Sequence, residues 1–224
     1  MNELVPCFEE SLFDTEIMDL GVEFLELGID SVLEDGLFKD IPIVGTIVKV
    51  GKFAQNVHDR NLLNQTLIFI NEFRKGRISE EKIQQHRVKL RKSTKAMEAE
   101  LGRILILLNR NIDTIKTKFE AKFYIAFING IVSWSEFCEL CDITERLFIS
   151  DIRVLKEAYD NNGISSEITI TYKHDRLMSV GLLVNEASIS GSVYWIDLDA
   201  KEQKNIIELT EVGRKFCNIV FANY

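Results

Sequence analysis

Residues 172–183 read YKHDRLMSVGLL and residues 205–216 read NIIELTEVGRKF; these two stretches decide how the chain ends. In the first, Leu177, Met178, Leu182 and Leu183 recur at helical spacing, which predicts a helix over 172–183 with those four side chains inward. In the second, a short apolar strand over 205–209 stops at Thr210. A threonine hydroxyl takes an orphan N–H of a first helical turn, so Thr210 caps a final helix over 211–221. A second strand is read over 192–198, joined to 205–209 by the charged tip Asp199-Ala200-Lys201-Glu202-Gln203-Lys204. Upstream, 151–162 reads as a helix closed by Asn161-Asn162-Gly163, a left-handed stop. Residues 166–171 alternate with period two, Ile168 and Ile170 on one side.

Everything before position 151 is helical in pattern. Leu12, Phe13, Ile17, Leu20, Phe24, Leu27 and Val32 mark an amphipathic helix over 9–34 among carboxylates. Asp40-Ile41-Pro42 reads as a helix start, because the missing N–H of proline costs nothing at the first helical position. Leu62, Leu63, Leu67, Ile70 and Phe73 form one stripe ending at Lys75-Gly76. Ser79 caps the next helix, which meets no breaker except Gly102 before Leu108. Another runs through Ile112, Ile115, Phe119, Phe123, Ile125 and Phe127 to Asn129-Gly130. A shorter one starts at Ser133 or Ser135. The expected fold is mainly α: a multi-helix bundle over 1–150, then a small α+β module over 151–224.

Helix, short strand, helix, two strands and helix is the order of a winged helix-turn-helix. Leu177 to Leu183, a hairpin, then Leu209-Thr210-Glu211-Val212-Gly213-Arg214-Lys215-Phe216 is similar to the ending of many bacterial winged-helix modules. The same residues resemble the C-terminal part of abortive-infection alpha-type proteins, a bacterial family linked to phage resistance. The likeness runs over 151–224 and implies a fold and a setting, with no catalytic residues to carry over. Asp40-Ile41-Pro42-Ile43-Val44-Gly45-Thr46 with His58-Asp59-Arg60 also looks like a stretch of uncharacterised bacterial proteins of similar length.

The chemistry-bearing patterns are few. Gly45 to Gly51-Lys52 differs from a phosphate loop in having five intervening residues and Phe53 after the lysine. No G-x-S-x-G or H-E-x-x-H occurs. Cys138-x-x-Cys141 has no second pair to complete a zinc site, and His58, His86 and His174 are far apart; Cys138 and Cys141 read as small hydrophobes on a helix. Neither a catalytic nor a metal site is read from the sequence, and no cofactor is expected. The first dozen residues hold Glu3, Glu9 and Glu10 without a basic stretch. The longest apolar runs, 41–48 and 104–108, are too short to span a bilayer as a helix. The expectation is a cytoplasmic protein, with peripheral association at the inner membrane face left open.

Charge is the most uneven feature. The net charge of −8 argues against a general nucleic-acid binder. Residues 1–40 carry 12 acidic side chains against one basic, Lys39, whereas 74–118 carry 13 basic against 5 acidic. Either the acidic N-terminal helix lies across the basic helices, or both faces are simply solvated, or the basic stretch faces an anionic membrane or partner and is shielded by the N-terminus until needed. The second candidate is 42–57, PIVGTIVKVGKFAQNV, β-branched and glycine-containing. It reads either as a central core helix or as a lipid-engaging element, Lys49 and Lys52 reaching headgroups. The candidate interaction residues are therefore Ile43, Val44, Ile47, Val48, Lys49, Lys52, Arg87, Lys89, Arg91, Lys92 and Lys95. The expected function is non-enzymatic, an interaction or effector protein of a phage-defence or stress-response system, with a protein partner or self-association. A winged-helix regulator reading DNA through Lys173, His174 and Arg176 is the alternative, set back by Asp197, Asp199 and Glu202 in the hairpin. A membrane-perturbing toxin is the third.

Overall fold

The computed structural model describes residues 3–13, 41–50, 57–164, 171–185 and 207–221. These hold ten α-helices and a two-stranded sheet. The helices are α1 (Leu4–Phe13), α2 (Pro42–Val50), α3 (Val57–Lys75), α4 (Glu80–Arg91), α5 (Thr94–Arg110), α6 (Thr114–Ile128), α7 (Trp134–Arg146), α8 (Ile152–Asp160), α9 (Tyr172–Ser179) and α10 (Glu211–Phe221). A 3-10 turn, Ile149–Asp151, precedes α8, and β1 (Leu183–Asn185) pairs antiparallel with β2 (Ile207–Leu209). The chain divides into two units, Met1–Phe137 and Cys138–Tyr224, with the division inside α7.

In the first unit α3 and α6 pack along each other, α5 lies against α3, and α1 rests on α2, α3 and α5. Phe8, Phe69, Phe123, Tyr124 and Phe137 are fully buried there. Burying each such side chain contributes about 1.5–3 kcal/mol relative to leaving it in water. Phe13 meets Phe73 edge-on at 5.8 Å between ring centroids. Tyr124 lies between Phe69 and Phe137, at 6.0 and 5.9 Å. Tilted and edge-on contacts of this kind suit the ring quadrupole.

Local signals set the helix ends. Pro42 opens α2, and Ser79 accepts the N–H of Lys82 at 3.4 Å to open α4. Ser133 and Glu136 form a reciprocal capping box. Ser133 N donates to Glu136 Oε2 at 2.7 Å, and Glu136 N donates to Ser133 Oγ at 3.2 Å. Three helices close with Schellman pairs of backbone bonds. In α6, Ile131 N reaches Ala126 O at 2.9 Å over Gly130 (φ +77°). In α8, Gly163 N reaches Ala158 O at 2.8 Å over Asn162 (φ +54°), and in α9, Leu182 N reaches Leu177 O at 3.0 Å over Gly181 (φ +79°).

Four expectations change. The helix expected from Ser79 to Leu108 is two, because Lys92 ends α4 and Ser93, extended at φ −149° and ψ 115°, accepts the N–H of Ala96 to start α5. Ile112 is not in the next helix: Asn111 turns to ψ 133°, and Ile112 lies 85% exposed in the joint. The N-terminal helix begins at Leu4 rather than at residue 9, with Pro6 in the first turn, where its missing N–H costs no bond. The helix expected over 172–183 stops at Ser179, and Leu183 opens β1, which becomes the partner of β2. Residues 14–34 of the first predicted helix, Asp40, residues 51–56, 166–170 and the strand read over 192–198 lie outside the described residues.

The second unit explains its own sequence pattern. Thr210 N donates to Leu182 O at 3.1 Å and its hydroxyl to Gly181 O at 2.6 Å, while Gly213 N donates to Thr210 Oγ1 at 2.9 Å. A Cβ on Gly213 would collide with the carbonyl oxygen of Leu182, so only glycine lets α10 approach β1 this closely. Gly181-Leu182 and Leu209-Thr210 with Gly213 are thus two halves of one joint. Ile164 extends the sheet edge by a bridge to Ile207.

Candidate functional site

The densest part of the basic stretch, Arg87 to Lys95, lies on the end of α4 and the first turn of α5. Leu90 turns inward and Val88 outward, 55% exposed. Arg87 and Arg91 lie one turn apart on the flank nearest α1, and both reach Glu9. Arg87 Nε donates to Glu9 Oε1 at 2.7 Å; Arg91 donates from Nε to Oε1 at 3.1 Å and from Nη2 to Oε2 at 2.9 Å. Glu9 is 3% exposed, so its charge is tolerable only because all three of these hydrogen bonds come from cationic donors, on two arginines. The bond to Glu9 raises Arg91 above the ordinary arginine value. One acidic side chain of the N-terminal helix, Glu9, thus pairs with the basic helix, as one of the charge readings expects.

Lys89, Lys92 and Lys95 are exposed, and none makes an ion pair with a described residue. Beneath the clasp lies a second polar cluster. His86 Nε2 is 2.7 Å from Glu100 Oε1 and 3.2 Å from Tyr124 Oη, and the Tyr124 hydroxyl donates to the same Glu100 oxygen at 2.8 Å. Burial, and then the Glu100 charge, push the Tyr124 hydroxyl well above the ordinary tyrosine value. His86 is ringed by Phe13, Tyr124 and Phe127. A third group, Asn61, Gln65, Asn111, Thr117 and Glu120, ties the α5–α6 joint to α3. Gln65 Nε2 donates to Ile112 O at 3.1 Å, Thr117 Oγ1 to Gln65 Oε1 at 2.6 Å and Asn111 Nδ2 to Glu120 Oε2 at 2.7 Å. Chemically these are internal networks, in which the side chains named donate to or accept from one another or the backbone.

The other candidates fall differently. Ile43, Val44 and Ile47 are buried, so the core-helix reading of α2 holds for them, and they form no standing interaction surface. Val48 is 36% exposed, Lys49 is placed in α2 by its backbone alone, and Lys52 lies outside the described residues. In the second unit none of the three candidate DNA contacts is free. His174 is buried, and its Nδ1 accepts the N–H of Thr171 at 2.9 Å as part of the α9 cap. Arg176 donates from Nε to buried Asp151 Oδ2 at 2.8 Å. Its guanidinium is held between the rings of Phe148 and Tyr172, at 4.2 and 4.8 Å from their centroids. Lys173 donates to Ser150 O at 3.1 Å.

Cys141 is buried and Cys138 half-buried on α7. Among the described residues no three His, Cys, Asp or Glu side chains form a group that would hold a metal ion, and no helix is long and apolar enough to cross a membrane. The sequence pointed to Arg87, Lys89, Arg91, Lys92 and Lys95 but not to Glu9 as their carboxylate, nor to His86, Glu100 and Tyr124. Those three are scattered over α4, α5 and α6 with no shared local spacing.

No protein-family model matches the chain, and comparison with curated proteins and with solved structures finds no significant match.

Proposed function

We propose that the chain acts by binding rather than by catalysis, as a bacterial interaction protein of a phage-defence or stress-response system. The helical unit is its platform, and the second unit is a winged-helix-like contact module. The resemblance of residues 177–216 to abortive-infection alpha-type proteins supports the setting. The observation that carries the binding reading is the outer face of α4: Lys89, Lys92 and Lys95 stand exposed without an ion pair to a described residue, beside two arginines already gripping a carboxylate. A cluster of like charges maintained on one helix face costs self-repulsion, which a partner of opposite sign relieves.

Neither alternative has comparable support. The DNA reading asks for cations that reach phosphates, whereas His174 is buried in the α9 cap, Arg176 is paired with Asp151, and Lys173 alone keeps its charge, beside one bond to Ser150 O. The toxin reading asks α2 to give up Ile43, Val44 and Ile47 from the core. The test is binding of the native chain and of a Lys89→Glu, Lys92→Glu, Lys95→Glu variant to three anionic probes: an acidic peptide, phosphatidylglycerol vesicles and duplex DNA. Binding to at least one probe, lost in the variant while circular dichroism is unchanged, is expected. No binding to any of them, or equal binding by the variant, contradicts the reading.

A further inference from the structure

The composition of this face narrows its partner further. Val88, Arg91 and Lys92 sit at i, i+3 and i+4, so they line one side of α4; Lys89 flanks them and Lys95 follows across the Ser93 joint. Val88 is the one large apolar side chain that α4 exposes. One valine is too little to anchor a helix in lipid, which needs a whole apolar face. Three uncommitted lysines also make a weak footprint for a nucleic acid, whose affinity scales with the number of phosphates neutralised. The chain itself shows what α4 does hold: a carboxylate carried by a helix, Glu9 of α1, taken by Arg87 and by both ends of the Arg91 fork.

We propose that the outer face of α4 binds an acidic α-helix of a partner protein, packed on Val88 with its carboxylates over Lys89, Lys92 and Lys95. This rests on the reading of the strip as a docking surface and adds its occupant. The direction of the partner helix follows from charge. Acidic side chains favour the N-terminal half of a helix. Here they must lie over the C-terminal half of α4, because Glu80 and Glu81 occupy its first turn and repel them there. The partner therefore runs antiparallel to α4, its acidic N-terminal half over residues 88–95 and a neutral or basic C-terminal half over Glu80 and Glu81.

The experiment uses the full chain and a labelled helical peptide of about 18 residues, five turns. It carries leucines on one face, glutamates in its N-terminal half and lysines in its C-terminal half. Controls are the same peptide with glutamine for glutamate, phosphatidylglycerol vesicles and duplex DNA. Fluorescence anisotropy at about 0.15 M salt, where charges beyond roughly 8 Å are screened, is expected to show binding of the glutamate peptide. Affinity should fall about tenfold or more in the Lys89→Glu, Lys92→Glu, Lys95→Glu variant, and also on Val88→Asp. Equal binding of the glutamine peptide overturns the proposal. So does binding of vesicles or DNA through the same lysines without the peptide, which leaves the strip as a docking surface but for another partner. Binding of none of the three probes overturns the proposal and the docking reading together.

Discussion

Arg91 holds Glu9 through two N–H groups, at 3.1 and 2.9 Å, across 82 residues of sequence. Glu9 is nearly sealed, whereas the Arg91 side chain is 54% exposed. The pair is thus asymmetric: losing the arginine strands a buried charge, while losing the carboxylate frees the Arg91 guanidinium to water and leaves the more buried Arg87 unpaired beside it. Glu9→Ala should cost about 2 kcal/mol, below the roughly 3–5 kcal/mol of a fully buried broken pair. Changing Arg87 and Arg91 together to Ala should cost more. Urea midpoints at unchanged slope check both.

Gly213→Ala should destabilise the second unit although alanine is the better helix former by about 1 kcal/mol. The added methyl meets the backbone carbonyl of Leu182, which can move only by breaking its bonds to Thr210. A loss of about 3 kcal/mol is expected from such overpacking. Thermal melts of the variant measure it, and an unchanged melting temperature would show that α10 and β1 are not this close.

Arg176→Lys keeps the charge but not the fork. Lysine has no planar group to set two nitrogens against the two oxygens of Asp151 while lying against the rings of Phe148 and Tyr172. The substitution should lower the denaturation midpoint, and Arg176→Ala should lower it further, because Asp151 is buried. A residue reserved for DNA would instead tolerate lysine without loss of stability.

At alkaline pH the sign follows from Tyr124. Its folded value is raised, so the unfolded chain ionises first, from about pH 10. The stability it contributes is present below that pH and is lost as pH rises toward the folded value. Cys217, which burial pushes up to about 12, adds a fall of the same sign. Tyr124→Phe should therefore be less stable at neutral pH by about 1 kcal/mol, for the hydrogen bond to Glu100. Its stability should fall less steeply above about pH 10 than the native chain's, as denaturation curves across that range would record.

What the sequence made legible is what is local. Pro42, Ser79, Ser133 and Thr210 mark helix starts because each cap acts within three residues, and Gly130 and Asn162-Gly163 mark stops because only the left-handed region closes those turns. Ser93 escaped because it sits in a polar run without glycine or proline, where helical spacing continues on both sides. Leu182 and Leu183 misled because they suit a helical stripe equally well; the left-handed Gly181 before them turns the chain into β1. The charge imbalance offered an acidic helix against a basic one as one of its readings. That Glu9 is the residue, and that His86, Glu100 and Tyr124 lie beneath, depends on tertiary packing that no spacing encodes.

The most direct test of the account is zero-length carbodiimide cross-linking of the full chain to the acidic helical peptide, read by mass spectrometry. This chemistry joins a carboxylate to an amine it touches. Links are expected at Lys89, Lys92 and Lys95, and high salt should abolish them. Links confined to other lysines, such as Lys116, Lys118 or Lys122 of α6, would contradict the account.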